Sequence, residues 1–455
     1  MNQFWAKINK FILFFGDIGL FYLSLWLTLV LRYGINYQPE IWMMHWPVFT
    51  RLFILWFIIF YAFNLYNLSA CKNNWYFYNN YLKALIINIS LGVLYFYLFS
   101  PVTAISPKTN LIILGLVFSL IFFLWRKLVL ELFNLKKLYQ NLLFIGYEPL
   151  IKELLPKNGK QQRFGFNYKG IVTDQAMTDP AIDLAQYRFN ELDEIIKREK
   201  INLLVINEPE NEKITNQLFQ VLPLKVNFIS LSNFYETNTD RVPLKIINRG
   251  WFLDNFSEGD RSLFETAKRF FDIIFSVIFG LWSLILIPFI VLFINLDSKG
   301  KIIFKQIRTG KDGKPFTALK FRTMYKNAEQ NGAVWAEEND PRITKAGRFL
   351  RNTRLDEIPQ LWNILKGEMS FVGPRPERPE FIDELKEKIP FYKERLLVKP
   401  GLTGWAQINF PYASSVEDSL KKLQYDLYYI KHRSLLLDAG IIIKTIATVL
   451  SSGGR

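Results

Sequence analysis

The sequence predicts a membrane α plus α/β protein with four transmembrane helices, a Rossmann-like cytoplasmic domain, and a mainly α domain that carries a re-entrant membrane helix. Three observations lead to this fold class. Half of the 455 residues are hydrophobic and only 21% are charged, which is typical of a chain with a membrane-embedded part. Four long apolar stretches occupy the first 130 residues. Short strand patterns then alternate with helical patterns, before a fifth apolar stretch.

The counts of a few residue types exclude some protein classes. With one cysteine, Cys71, the chain forms no intramolecular disulfide. With two histidines, His45 and His432, it builds no zinc site of His and Cys ligands, so a catalytic metal needs oxygen ligands. Lys and Arg number 56 against 41 Asp and Glu, a net charge of +15. This excess leaves nucleic acid, anionic lipid and phosphorylated substrates open as partners.

The four N-terminal apolar stretches are predicted to be transmembrane helices, within a transmembrane region at residues 1–135. They cover residues 11–31, 52–68, 84–99 and 111–124, each near or slightly below the ~20 residues that span a bilayer. The first has no small-residue cleavage site and contains Asp17, so it is predicted to be a retained anchor and not a signal peptide. Buried core helices are the alternative.

Basic residues predict the orientation of these helices. One side has few of them, while the other side holds most, and by the positive-inside rule that second side is cytoplasmic. The N-terminus, the loop after the second span and everything after the fourth span are therefore expected in the cytoplasm. The side with few basic residues has Arg32, Arg51 and Lys108. The side predicted to be cytoplasmic has Lys7, Lys10, Lys72, Lys83, Arg126, Lys127, Lys136 and Lys137.

Residues 136–250 are predicted to form the Rossmann-like cytoplasmic domain. Apolar runs at 142–145, 170–173, 203–206 and 226–229 are typical of buried parallel strands, and 192–200 has a helical pattern. The turn after the first strand reads Gly-Tyr-Glu-Pro and lacks the glycine fingerprint that lets a backbone approach a pyrophosphate. Dinucleotide binding is therefore disfavoured, and a regulatory or assembly role is the alternative.

A fifth apolar segment, at about residues 270–296, has basic residues on both flanks and contains Pro288. A simple span would place one basic flank and the whole C-terminal domain outside. A helix that breaks at Pro288 enters and leaves on the cytoplasmic face. We therefore expect a re-entrant helix, and a full span is the alternative. The flanking residues are Lys268, Arg269, Lys299, Lys301 and Lys305.

The C-terminal domain, residues 251–455, contains the densest charge pattern. Residues 301–455 carry a net charge of +9, so phosphate binding is expected here. Five basic residues at about three-residue spacing precede Asp356 and Glu357, and such spacing places neighbours on one helical face. A solvated charged face is the usual alternative. The five are Arg342, Lys345, Arg348, Arg351 and Arg354.

Three short motifs accompany this pattern. In Gly-Pro-Arg-Pro at 373–376, two prolines fix the backbone around Arg375, whose guanidinium can bind phosphate oxygens bidentately. Lys-Phe-Arg-Thr-Met at 320–324 follows a turn rich in Gly and Lys. Lys-Pro-Gly-Leu-Thr-Gly-Trp at 399–405 is more typical of a structural turn than of a catalytic site.

Taken in order, these segments resemble the bacterial sugar transferase family, the polyprenyl-phosphate hexose-1-phosphate transferases. The resemblance covers the chain from Lys268 to the C-terminus. The N-terminal helices and the middle domain are similar to the large monotopic-type phosphoglycosyl transferases that have an N-terminal transmembrane bundle. The family's Ser before Leu-Asp-Glu is replaced here by Arg354. The matching segments are 304–306, 320–324, 342–345, 347–351, 355–363, 373–376 and 425–429.

The resemblance implies transfer of hexose 1-phosphate from a UDP-sugar to undecaprenyl phosphate, with release of UMP, which initiates exopolysaccharide, capsule or O-antigen assembly. By motif position, Asp356 is the nucleophile that forms an aspartyl-phosphate-sugar intermediate, and Glu357 is a ligand of Mg²⁺. Lys320, Arg351 and Arg375 align with phosphate-binding positions. These roles suit the chemistry, since a carboxylate attacks phosphorus more easily when cations neutralise the charge.

Further expectations also come from the resemblance. They are a homodimer, contact with membrane lipids, no nucleic-acid partner, and location in the bacterial inner membrane with the catalytic and Rossmann-like domains on the cytoplasmic side. Two other functions stay open. A nicotinamide-dependent sugar-nucleotide dehydratase or epimerase is disfavoured, because the chain has no Tyr-x-x-x-Lys pair. A lipid-binding scaffold of an envelope polysaccharide assembly complex leaves Asp356, Glu357 and Gly-Pro-Arg-Pro without a role.

Overall fold

A computed structural model gives the fold. The chain divides into two compact units, residues 1–141 with 158–168, and residues 142–157 with 169–455. The predicted domain boundary near residue 250 lies within the second unit, and the three-domain division stays a prediction. The structure describes residues 2–63, 65–66, 75–103, 108–133, 140–155, 162–163, 166–174, 182, 184–207, 212–256, 262–325, 340–410 and 415–450. Cys71, Lys72, Lys136 and Lys137 lie outside the described residues.

Four long helices form the N-terminal part of the first unit. All four are long and apolar enough to cross a membrane. The second begins earlier than the predicted 52–68, because the polar His45 that interrupts the apolar run is buried and bonded: it donates to the Ile41 carbonyl at 2.7 Å and accepts from Asn110 at 3.2 Å. The helices are α1 (Asn2–Tyr33), α2 (Pro39–Ala62), α3 (Trp75–Thr103) and α4 (Lys108–Phe133).

Polar pairs define how these helices run. Arg126, in the second half of α4, donates to Asp17 in the middle of α1 at 2.7 Å, and Arg32, at the end of α1, donates to Asn110 at the start of α4. The two helices are therefore antiparallel. Between these two polar contacts the core is aromatic, and the ring centroids of the stacked Phe21 and Phe118 are 4.3 Å apart. An internal ion pair and polar contacts of this kind are characteristic of polar groups in apolar helices, since each is costly without a partner.

A mainly parallel sheet follows the four helices. Its strand order is β2-β3-β1-β5-β6, with β4 paired to β3, and β1, β5 and β6 are parallel to one another. The predicted strands are confirmed as β1, β3, β5 and β6. The elements are β1 (Gln140–Ile145), α5 (Ile151–Leu154), β2 (Gln162–Arg163), β3 (Phe166–Val172), β4 (Gln186–Tyr187), α6 (Leu192–Arg198), β5 (Leu203–Ile206), α7 (Glu212–Gln220), β6 (Asn227–Ser230) and α8 (Leu231–Thr239).

Burial explains the strand pattern. Every residue of β5 is buried, and the last four residues of β1 are buried as well, as a parallel sheet covered on both faces requires. Gly146 ends β1 with a φ of +84°, a left-handed backbone that glycine adopts without strain. The chain then turns into α5, which begins at Ile151.

The C-terminal region is mainly α-helical. Its described residues form two small sheets, the antiparallel hairpin of β7 and β8 and the parallel pair of β9 and β10. The elements are α9 (Arg249–Asn255), α10 (Ser262–Asp297), β7 (Ile303–Thr309), β8 (Pro315–Phe321), α11 (Lys345–Thr353), α12 (Gln360–Lys366), β9 (Ser370–Val372), α13 (Pro379–Lys388), β10 (Gly401–Thr403), α14 (Trp405–Asn409), α15 (Val416–His432) and α16 (Leu435–Leu450).

Helix α10 contains the fifth apolar segment, and it is continuous through Pro288. The predicted break of the helix at Pro288 is therefore wrong. A proline removes one backbone hydrogen bond, and the rest of the helix can still form. With 36 residues, a straight α10 would be about 54 Å long. That exceeds the ~30 Å hydrocarbon core of a bilayer. Entry and exit on one face stays a prediction.

Both ends of α10 pack on the same C-terminal region. Near its start, Asp272 accepts hydrogen bonds from Ser370 Oγ and the Phe371 amide, each at 3.0 Å. Near its end, Asp297 accepts from the Ala346 amide at 2.8 Å, and Ile294 belongs to the buried cluster of β8 and α11 residues. The middle of the helix presents apolar side chains outward: Ile278, Leu281, Trp282, Leu284, Ile285 and Phe289 are all exposed.

Candidate active site

Asp356 and Glu357 lie in a short 3₁₀ turn, Leu355–Glu357, between α11 and α12. The turn begins at Arg354, which has a left-handed backbone with a φ of +59°. Both carboxylate residues are only 6% exposed. Two adjacent acidic residues are rarely buried without cationic partners, so the surrounding cations decide what this pair can do.

Glu357 is bound by two cations that come from distant parts of the chain. Lys320 Nζ, on β8, donates to Glu357 Oε1 at 2.7 Å, and Arg375 Nη2, after β9, donates to the same oxygen at 3.0 Å. Burial favours a raised pKa, but the charges of Lys320 and Arg375 outweigh it and hold the pKa of Glu357 well below its ordinary value. Glu357 is therefore ionised at neutral pH.

Asp356 has the opposite electrostatic character. Its Oδ1 atom is buried and has no hydrogen-bond partner among the described residues. Burial, together with the neighbouring charge of Glu357, raises the pKa of Asp356 above its ordinary value, although Lys320 and Arg351 oppose the shift. An unpartnered buried carboxylate oxygen is expensive to keep. It is available to a metal ion or to a phosphorus atom that enters the site.

The predicted phosphate-binding residues are brought together only in part. Lys320 and Arg375 meet at Glu357. Arg351, on α11, donates through Nε to Thr323 Oγ1 at 2.9 Å, and its charge acts on Asp356. Within the part of the chain that the structure describes, Arg351 makes no hydrogen bond or ion pair with Asp356 or Glu357, so it lies near the pair and not on it. All three residues that the sequence selected for phosphate binding are thus in one neighbourhood.

The row of five basic residues does not form one functional face. Lys345 and Arg348 are exposed on α11, while Arg342 binds Asp340 through both carboxylate oxygens, at 2.6 to 3.1 Å. Of the five, Arg351 and Arg354 act on the carboxylates: the charge of Arg351 opposes the raised pKa of Asp356, and Arg354 Nη1 lies 3.9 Å from Glu357 Oε1. The five do not share one helical face, because α11 begins at Lys345 and ends at Thr353, so that Arg342 and Arg354 lie outside it.

The Gly-Pro-Arg-Pro segment rests on buried charges that the sequence did not reveal. Arg395 donates to the Arg375 carbonyl oxygen at 3.0 Å and to Asp426 Oδ2 at 2.8 Å. Lys422 donates to Glu377 Oε1 at 2.7 Å. The motif at 425–429 contained Asp426, but its partner lies 31 positions away. Sequence spacing gives no signal for such a pair, and the structure shows that it holds the loop that carries Arg375.

The segment at 399–405 and Arg322 have structural roles. A Cβ atom on Gly373 would lie 2.4 Å from the Lys399 carbonyl oxygen, and one on Gly404 would lie 2.2 Å from the Gly373 carbonyl oxygen. The segment at 399–405 therefore packs its backbone against β9, as expected for a structural turn. Arg322, within the motif at 320–324, donates to the carbonyls of Ser298 and Lys301 and so closes the end of α10.

The donor set is compatible with a hard divalent cation. Among the described residues, no group of three or more His, Cys, Asp or Glu side chains could hold a metal ion alone. Mg²⁺ needs fewer protein ligands, because it usually takes one or two carboxylates and completes its shell with water and substrate phosphates. Asp356 Oδ1 and the Glu357 carboxylate fit that requirement.

Comparison with known proteins identifies the family. Residues 263–452 match the family described as bacterial sugar transferase. The chain is 35% identical over 190 residues to a UDP-glucose:undecaprenyl-phosphate glucose-1-phosphate transferase of Caulobacter vibrioides, and the match covers 41% of this chain and 71% of that protein. The chain belongs to the bacterial sugar transferase family. Because five helices among its described residues are long and apolar enough to cross a membrane, it is a bacterial membrane protein.

Two further relatives differ in the sugar that their names give. A UDP-N-acetylgalactosamine-undecaprenyl-phosphate N-acetylgalactosaminephosphotransferase of Aeromonas hydrophila is 44% identical over 193 residues, 42% of this chain and 45% of that protein. A UDP-glucose:undecaprenyl-phosphate glucose-1-phosphate transferase of Klebsiella pneumoniae is 33% identical over 307 residues, 67% of this chain and 66% of that protein. The matches thus span less than two thirds of the length of these two relatives.

Proposed function

We propose that the protein transfers a hexose 1-phosphate from a UDP-sugar to undecaprenyl phosphate and releases UMP. The observation that carries this proposal is the buried pair Asp356 and Glu357, surrounded by Lys320, Arg351 and Arg375. A carboxylate with an unpartnered oxygen beside phosphate-binding cations suits nucleophilic attack on a phosphate ester. The names of the relatives support the same reaction class.

The reaction takes two displacements at one phosphorus atom. An Asp356 carboxylate oxygen attacks the phosphorus that bears the sugar, and the bond from that phosphorus to the bridging oxygen breaks, so that UMP leaves with the electron pair. A phosphate oxygen of undecaprenyl phosphate then attacks the same phosphorus. The acyl-phosphate bond breaks, and the Asp356 carboxylate is restored. Each displacement therefore brings one anionic nucleophile to a phosphate whose charge is neutralised.

The cations divide the remaining work. Arg375 and Lys320 bind phosphate oxygens while they keep Glu357 ionised, and Arg351 adds positive charge beside Asp356. Glu357 is the proposed ligand of Mg²⁺, with Asp356 beside it. When bound, Mg²⁺ supplies Lewis-acid stabilisation of the developing negative charge.

The proposed arrangement places four helices across the bacterial inner membrane and α10 as a re-entrant helix. The contacts at both ends of α10 support the second part. Asp272 binds β9, and Asp297 binds α11, so a straight span would have to reach one domain from both sides of the membrane. The regions 1–135, 136–250 and 251–455 are then the transmembrane, Rossmann-like and catalytic domains, the last two in the cytoplasm.

The biological setting is also a proposal. The product begins exopolysaccharide, capsule or O-antigen assembly, and the partners are a UDP-sugar, undecaprenyl phosphate, membrane lipids and a second copy of the chain. Glucose and N-acetylgalactosamine are both candidate sugars, since the relatives' names give both. A lipid-binding scaffold of an assembly complex is the alternative function. It predicts that membranes containing the protein show no transfer activity.

The test uses membranes that contain the full chain, a panel of UDP-sugars, and undecaprenyl phosphate. We expect UMP release with one of the sugars before the lipid acceptor is added, at most one UMP per enzyme, and turnover after it is added. A UDP-sugar labelled in its β-phosphate should label the peptide that contains Asp356, and Asp356→Asn should remove label and turnover together. Substantial transfer by Asp356→Asn would replace the covalent mechanism with a direct displacement.

A further inference from the structure

Arg354 occupies a backbone position that does not favour arginine. It is the C-cap residue of α11, with a φ of +59° and a ψ of 13°. Its amide donates to the Arg351 carbonyl at 3.2 Å, and its own carbonyl accepts from the Glu357 amide at 3.2 Å. These bonds need only a left-handed backbone, which glycine or asparagine adopts most easily. The backbone therefore gives no reason for an arginine here.

The contacts of the side chain do not explain the arginine either. Arg354 Nη1 is 3.9 Å from Glu357 Oε1, which is beyond hydrogen-bond distance. That oxygen already accepts from Lys320 and Arg375. No hydrogen bond from the Arg354 guanidinium is found among the described residues, and the side chain is 35% exposed. Within the described part of the chain, its donors are therefore free, and they lie half-exposed beside the buried carboxylates.

The charge of the site leaves room for an anion. Lys320 and Arg375 donate to Glu357, Arg354 lies 3.9 Å from it, and Arg351 lies near Asp356, so that four cations surround two carboxylates. The protein groups alone thus carry at least two positive charges in excess. The diphosphate of a nucleoside-diphosphate sugar carries two negative charges, and a guanidinium with free donors is the side chain best suited to bind its oxygens in pairs.

We propose that Arg354 binds the diphosphate of the UDP-sugar, as a further phosphate-binding residue of this site. The assignment rests on the proposed function, since it takes its ligand from there. It accounts for the replacement of the family's Ser by a cation, for the disfavoured backbone that the arginine adopts, and for the free donors. The other three cations are partly engaged: Lys320 and Arg375 on Glu357, and Arg351 on Thr323.

The test measures binding of UDP to the purified full-length protein in detergent, in EDTA, so that neither turnover nor a metal ion contributes. Arg354→Gly and Arg354→Asn should bind UDP about tenfold more weakly, as expected for loss of one charge-assisted contact. Arg354→Lys should lose less. Uridine, which has no phosphate, should bind the protein and its variants equally. The melting temperature of Arg354→Gly should equal or exceed that of the wild type, because glycine suits the backbone.

Lys225→Gly is the matched control. Lys225 is exposed and also ends a helical turn with a left-handed φ of +56°, so the substitution removes a cation from the same backbone conformation, in the Rossmann-like domain. Its affinity for UDP should equal that of the wild type. If folded Arg354→Gly and Arg354→Asn bind UDP as the wild type does, the assignment is wrong. A wild type that binds no UDP in EDTA would overturn the assignment of Arg354, while UMP release from a UDP-sugar in Mg²⁺ would still support the proposed function. Binding that depends on Arg354 without UMP release from any UDP-sugar would refute the proposed function alone.

Discussion

Replacing Arg375 by alanine removes a cation from the middle of the site while its loop stays supported. The Arg375 carbonyl is held by Arg395 at 3.0 Å, and this bond does not involve the side chain that is removed. The lost group is a guanidinium with one terminal nitrogen on Glu357 at 3.0 Å and its other donors available to phosphate. A charge-assisted contact is worth roughly 1.5 to 3 kcal/mol. We therefore expect kcat/KM for UMP release to fall by about 10- to 150-fold.

The assay follows UMP release at several UDP-sugar concentrations, with melting temperature as the check on folding. Arg378→Ala is the control, because it removes a cation three positions along the chain, at the start of α13, and we expect less than a twofold change. Arg375→Lys keeps the charge but not the paired donors, so it should recover only part of the activity. If Arg375→Ala folds and retains wild-type kinetics, Gly-Pro-Arg-Pro is a structural turn and the proposed phosphate contact is absent.

Three further predictions concern the metal, the membrane and pH. EDTA should abolish turnover and Mg²⁺ should restore it, whereas Glu357→Gln should need far more Mg²⁺; full activity in metal-free buffer would exclude the metal. In a Cys71→Ser background, Lys245→Cys and Lys314→Cys, before and after α10, should both resist an impermeant maleimide applied from the periplasm, and labelling of Lys314→Cys alone would show a full span. The pKa of Glu377 is lowered to about 2, because the cations Lys422 and Arg395 outweigh the effect of burial. Its stabilisation is thus complete above the ordinary glutamate pKa and is lost as pH falls from there toward 2. Urea denaturation of Glu377→Gln should show a weaker loss of stability between about pH 5 and 2 than the wild type, and identical pH profiles would contradict the assignment.

The strands and apolar helices were predictable because their signals are local. An uninterrupted apolar run such as 203–206 identifies a buried strand without knowledge of its neighbours, and the structure confirms it as β5. The start of α2 was predicted too late, because His45 looks polar in sequence and only its bonds to Ile41 and Asn110 make it acceptable inside a bundle. Pro288 was predicted to break a helix that the surrounding residues keep continuous.

The sequence by itself determined the class of protein, the apolar segments and the residues that could carry phosphate chemistry, because composition, periodicity and short motifs are properties of neighbouring residues. Only the tertiary structure decided which residues share a site. Lys320 reaches Glu357 across 37 positions and Arg375 across 18. The buried support of Arg375 by Arg395 and Asp426, and the opposite electrostatics of Asp356 and Glu357, likewise depend on burial and distance, and these are fixed only when remote segments pack together.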